Sequence, residues 1–189
     1  MRPLLVGEDN PHSSDPADAL LPTPGTAGGN LCRRIMGLTE EEYLLGFDRA
    51  NLCAGRWDAK EAAERAKEIA DDDSREAIVL LGAKVASAFR AAFGCRLEPF
   101  RFYGRPGSRR VYVYLPHPSG RSRSWNDPAA VSRAREALRQ AGCLPVPPPT
   151  QEDWVASLPF ASCTVNRPAR CSNCHGLVEG MDCPDCGPP

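Results

Sequence analysis

Glu8, Asp9 and Asn10 stand in a row between Gly7 and Pro11, at the end of the apolar run Leu4-Leu5-Val6. Two carboxylates and a carboxamide so placed can hold a water for attack, stabilise a developing cation, or read the polar edge of a ligand. Gly7 permits a sharp turn or a close backbone approach, and Pro11 fixes the loop. A buried strand here would therefore deliver these groups to a pocket at its carboxyl end. Alone, the stretch reads more readily as a solvated strand-to-loop turn. A second stretch of the same form shifts the balance, because Val111-Tyr112-Val113-Tyr114-Leu115 runs into Pro116-His117-Pro118-Ser119-Gly120. Asn51 stands near the end of a third strand-like segment, 48–53, where its carboxamide would sit at a similar mouth. Such mouths in one small domain point to one site.

A separate constellation lies at the C-terminus. Cys171 and Cys174, then eight residues, then Cys183 and Cys186 form two CxxC knuckles, a spacing suited to a tetrahedral zinc ion. So short a segment has too little core to fold alone, so the zinc would be structural, with four thiolates and no open position for chemistry. His175 is a spare ligand or a loop residue. The acidic residues Glu179, Asp182 and Asp185 argue against direct phosphate binding by this ribbon. Cys32, Cys53, Cys95, Cys143 and Cys163 are scattered, mostly among apolar neighbours, and read as buried thiols.

Composition sets the frame for these residues. With 189 residues, 42% hydrophobic and 25% charged, the chain suits one sizeable core with an appendage. No apolar run reaches the roughly 18 to 20 residues that span a bilayer, and no signal-peptide pattern opens the chain, so a cytoplasmic protein without a membrane partner is expected. The net charge of −1 hides a basic block. Residues 96–143 carry ten arginines, no lysine and three carboxylates: Arg96, Arg101, Arg105, Arg109, Arg110, Arg121, Arg123, Arg133, Arg135 and Arg139. Phe100, Phe102, Tyr103 and Trp125 lie among them. Guanidinium forks suit phosphate oxygens and stack on bases, although a solvated helix face and hairpin would have the same composition.

Strand and helix signals alternate. Helices are expected over 30–37, over 40–47 from the capping box of Thr39 and Glu42, and over 59–70 behind Asp58. A strand over 77–81 meets Gly82, which opens a helix to residue 93; strands over 99–103 and 110–115 flank a Gly/Pro turn; and a final helix runs from Asp127-Pro128 to Ala141. This order argues for a three-layer α/β/α domain with a central, mostly parallel sheet, and Leu5, Val79 and Val113 in its core. The expected divisions are 1–143 for that domain, 144–170 for a Pro-rich linker partly packed on it through Trp154 and Phe160, and 171–189 for the zinc ribbon.

Gly7-Glu8-Asp9-Asn10-Pro11, then Asn51, then the strand ending at Gly82, then His117-Pro118-Ser119 is an order that resembles the uracil-DNA glycosylase superfamily, over roughly residues 3–142. The span from Pro22 through the Asn51 loop is most similar to the iron-sulfur uracil-DNA glycosylases. The resemblance implies a uracil-DNA glycosylase-like fold and a DNA partner whose damaged or modified base is flipped into a pocket and released by cleavage of its N-glycosidic bond. It implies that His117 donates a hydrogen bond to the charge developing on the base, that Asn51 reads the base edge with Gly7 and Ser119 beside it, and that Asn10, helped by Asp9 or Glu8, positions the attacking water. Where the strict uracil enzymes carry a Tyr after the Pro, this chain has His12, which leaves base choice open. Arg121 and Arg123 lie where the family's loop penetrates DNA, and Arg56 joins them as a DNA-binding candidate. The family's iron-sulfur cluster is the alternative to zinc, but its cysteines are dispersed and those here are gathered in a tail.

The expected function is that of a monofunctional DNA glycosylase removing uracil or a modified pyrimidine, in repair or in antiviral defence against bacteriophage DNA. No lysine stands in either motif to form an imine with the sugar. The alternative is a catalytically inactive nucleic-acid-binding module that keeps the same fold.

Overall fold

A computed structural model describes residues 2–10, 13, 15–104, 109–146, 169–170 and 177–178. Three apolar runs, β1 (Leu4–Gly7), β3 (Ala77–Leu81) and β5 (Val111–Leu115), are buried almost throughout, as strands covered on both faces must be. With β2 (Asp48–Asn51) and β4 (Arg101–Gly104) they form one sheet in the order β2-β1-β3-β5-β4. All neighbouring pairs are parallel except β4 with β5, which closes one edge as an antiparallel hairpin. Leu5 faces Arg49 on β2 and Val79 on β3, and Val79 faces Val113 on β5.

The pleat sorts side chains to two cores. Leu5, Val79, Leu81, Val113 and Leu115 pack on one face against the segment Asn30–Met36, helix α2 (Glu40–Gly46) and helix α6 (Ala130–Gln140). Val6, Ile78, Leu80, Tyr112 and Tyr114 pack on the other against α3 (Ala59–Asp71), α4 (Ala83–Ala88) and α5 (Arg90–Phe93). The molecule is thus an α/β protein with a mostly parallel five-stranded sheet between helices. Leu5, Val79 and Val113 are fully buried, as their pattern required.

Local rules set most boundaries. Thr39 Oγ1 accepts from the Glu42 amide at 3.2 Å, and the Glu42 carboxylate accepts from the Thr39 amide at 2.8 Å, closing the capping box of α2. The Asp58 carboxylate accepts from the Lys60 and Glu61 amides at 2.9 and 2.8 Å and starts α3.

The expected helix over 30–37 is present and stopped by Gly37, in the form of the π-helix Asn30–Met36 entered from the short turn α1 (Ala27–Gly29). Two expectations need correction. The helix over 83–93 breaks at Phe89, whose fully buried ring packs 6.0 Å from Tyr112; tertiary packing overrides a continuous apolar stripe there. Cys95 is exposed, whereas Cys32, Cys53 and Cys143 are buried and burial pushes the Cys143 thiol up to about 12. The basic block divides between surface and interior. Arg110 is only 3% exposed and spends its guanidinium inside the molecule. It donates to the carbonyls of Ile69, Ala70 and Arg75 at 3.0, 2.9 and 3.0 Å, to the Asp72 carbonyl, and to the Asp73 carboxylate at 2.9 Å. It thereby caps the C-terminal end of α3. Arg135 likewise donates to the Ile35 carbonyl at 2.7 Å, and Arg133 pairs with Asp127 at 2.6 Å.

The compact α/β unit runs from Met1 to Val146 and takes Cys143 and Leu144 into its core. A second unit covers Pro147–Pro189. In it, β6 (Ala169–Arg170) and β7 (Leu177–Val178) pair antiparallel, Ala169 facing Val178. Trp154, Phe160 and Cys163 lie outside the described residues, as do Pro11 and His12. Among the described residues no helix is long and apolar enough to cross a membrane.

Candidate active site at the carboxyl edge of the sheet

Four adjacent parallel strands end side by side, in the order β2, β1, β3 and β5, and bring Asn51, Gly7-Glu8, Gly82 and Pro116-His117 to one edge. Chain order and spatial order part between β1 and β3, the switch point at which open α/β sheets bind ligands. The ladders continue past the strands. Leu52 and Cys53 donate their amides to the Gly7 and Glu8 carbonyls at 3.1 Å each, and Gly82 donates to the Leu115 carbonyl at 2.9 Å. Glu8 and Gly82 are therefore held in register beside their neighbours.

The floor of this edge is main chain. Asn51 Oδ1 presses on Gly7 so closely that a Cβ at position 7 would overlap it, with Leu20 3.3 Å away on the other side. Gly82 has φ +107°, and a Cβ there would stand 2.6 Å from Glu8 Oε1 and 3.3 Å from His117 Cδ2. Glu8 Oε1 and the His117 ring thus both lie close over Gly82, and a side chain at this position would push the Glu8 carboxylate aside on a backbone that disfavours any Cβ. Gly82→Ala is expected to destabilise the fold by roughly 1–3 kcal/mol, from the strained backbone and the collision together. Urea unfolding would read this, with the unobstructed Gly55→Ala as the unaffected comparison.

His117 is fixed at both ends. Its Nδ1 accepts from the Ser119 amide at 3.2 Å, which places the proton of the neutral ring on Nε2. Its carbonyl accepts from the Trp125 indole at 2.8 Å. Trp125 is buried and meets the Phe100 ring edge-on at 5.6 Å, and Phe100 adopts φ +63°. Ser119 contributes through its main chain to the orientation of this histidine.

Glu8 is mostly buried and its Oε2 pairs with Lys84 Nζ at 3.1 Å. Lys84 Nζ also lies 5.2 Å from the centre of the Trp57 ring. Asp9 Oδ2 accepts from the Trp57 amide at 3.0 Å, so Asp9 ties the 54–57 loop to the end of β1. Asn10 is partly buried, and its carbonyl accepts from the Ser13 amide at 3.3 Å. Tyr43 donates its hydroxyl to the Leu20 carbonyl at 3.0 Å and holds Leu20, at φ +51°, where its side chain reaches Gly7. Burial pushes the Tyr43 phenol well above its ordinary value, which keeps it a donor.

The structure therefore gathers Gly7, Glu8, Asp9, Asn10, Asn51, His117 and Ser119 along one edge. Arg56 and Arg121 are exposed on loops that leave that edge and Arg123 is exposed at the start of the short 3-10 helix Arg123–Asn126, all three without ion pairs among the described residues. Sequence reasoning missed Lys84, Trp57, Leu20, Tyr43 and Trp125. Lys84 alone had a signal, its place in the first turn of a helix that opens at the site. Chemically, the arrangement offers an oriented imidazole donor, a carboxylate beside it, and a carboxamide able to donate and accept.

Cys171, Cys174, Cys183 and Cys186 lie outside the described residues, so neither zinc nor an iron-sulfur cluster can be fitted to their geometry. Among the described residues no group of three or more His, Cys, Asp or Glu side chains is placed to hold a metal ion. No family model matches the chain, and no curated protein matches its sequence.

Proposed function

We propose that this chain is a monofunctional DNA glycosylase that releases uracil or a modified pyrimidine. The observation that carries the reading is the convergence of Asn51, Glu8 and His117 on a glycine floor at the switch point of the sheet. Cleavage of an N-glycosidic bond leaves negative charge on the departing base and positive charge on the sugar. His117, with its proton on Nε2, donates to the base carbonyl as that charge grows. The carboxamide of Asn51 offers the donor and acceptor that match an imide edge. Asn10 holds the water that adds to the sugar carbon. Glu8 and Asp9 supply the negative potential that favours the cationic sugar; the added water gives up a proton to solvent, and the base, which leaves as an anion, takes one up. Lys84 enters as the ion-pair partner of Glu8.

Mass spectrometry of the free base tests this, with DNA containing uracil and DNA rich in modified pyrimidines as substrates. Release of uracil assigns the enzyme to repair. Release of a modified base alone assigns it to defence against bacteriophage DNA. Binding without release from either DNA overturns the enzymatic reading and leaves a silent module with zinc-ribbon appendage.

A further inference from the structure

A groove of about 910 Å³ opens beside the candidate site, between α4, α5 and the hairpin edge of the sheet. Ala83, next to Gly82, begins its wall, and Tyr114 on β5, three residues before His117, forms part of it. Arg90, Arg96 and Arg101 also line it. Arg101 pairs with Glu98 at 3.0 Å, whereas Arg90 and Arg96 are exposed and pair with no carboxylate among the described residues. Tyr114 lines the groove from the strand that leads to His117. Its hydroxyl is raised above the ordinary value by burial, pulled back by Arg96, and raised further by Glu8, so it lies within electrostatic reach of both.

Two guanidinium groups without a carboxylate partner among the described residues, on a groove whose wall starts at Ala83 beside Gly82, call for an extended anion. Their forked donors match phosphodiester oxygens, and a cationic groove that follows the backbone is the usual means of holding a single strand. We propose that this groove carries the phosphodiester backbone of the nucleic-acid strand that enters the site, with Arg90 and Arg96 each contacting a phosphate. The inference rests on the reading of the site as one that acts on DNA, but its test reads binding alone.

The test is fluorescence anisotropy of a short labelled single-stranded DNA with the full chain over a salt series. Each lost phosphate contact lowers the slope of log affinity against log salt by about 0.7, so Arg90→Ala with Arg96→Ala is expected to lower it by about 1.4. The charge-keeping pair Arg90→Lys with Arg96→Lys should retain the slope. Arg2→Ala with Arg139→Ala removes the same charge away from the groove and should also retain it. An unchanged slope in the alanine pair, an equal loss in the Arg2 and Arg139 pair, or no binding by the unaltered chain would overturn the proposal. Base release on the same proteins separates the two readings. Release with an unchanged slope sinks the groove and leaves the enzyme, whereas a lowered slope without release from any chain does the reverse.

Discussion

His117→Ala is expected to slow base release by about a hundred- to a thousandfold, measured under single turnover with saturating enzyme. The magnitude follows from the role of a preoriented donor to charge that appears only in the transition state. Its orientation comes from the Ser119 amide on Nδ1 and the Trp125 indole on the carbonyl, both of which hold the ring before any substrate arrives. The fold should survive, because the ring is partly exposed and its backbone anchors remain. His117→Asn keeps a donor and should recover part of the loss. Full base release by His117→Ala would remove histidine from the mechanism and the proposed chemistry with it.

Arg110→Met is expected to destabilise the protein by roughly 2–4 kcal/mol, read from the midpoint of urea unfolding. The guanidinium answers the buried carbonyls of Ile69 and Ala70 at the C-terminal end of α3, and the more exposed Asp72 carbonyl and Asp73 carboxylate. Methionine fills the volume but leaves the Ile69 and Ala70 carbonyls without this donor, while Asp73 is free to be solvated. Arg110→Lys should also lose most of the stability, because a compact ammonium cannot reproduce a fork that serves residues 69, 70, 72, 73 and 75 at once. Arg110 precedes β5, whereas His117 follows it, so the folded fraction should keep its site. A loss under 1 kcal/mol would mean that the α3 end is solvated in the native state.

These two residues also show what the sequence displays and what it conceals. His117 is visible because a short apolar strand and a proline-bracketed turn are local patterns, and each local pattern in this chain places its residue at the strand end it suggests. The strand over 77–81, the capping box at Thr39 and the mouth at Asn51 follow the same logic. Arg110 is invisible because ten arginines in a row of mixed elements carry no mark of which one turns inward. Its burial depends on where α3 happens to end, more than thirty residues earlier. Lys84 and Trp57 belong to the same class. Each reaches Glu8 or Asp9 through the parallel crossovers, which local spacing does not specify. The π-helix over Asn30–Met36 and the break at Phe89 are hidden for a related reason, since backbone hydrogen bonding there yields to packing against the sheet.

The glycine floor has an evolutionary corollary. Because a Cβ at Gly7 would strike Asn51 and one at Gly82 would strike Glu8 with His117 close by, neither position can gain a side chain without displacing the groups it supports. Inherited change in substrate choice is confined to the rim, on the 54–57 loop and on the turn that follows His117. Lineages of this scaffold should therefore diversify at those loops while the two glycines stay fixed, and a library built to alter specificity gains most by sampling the rim alone.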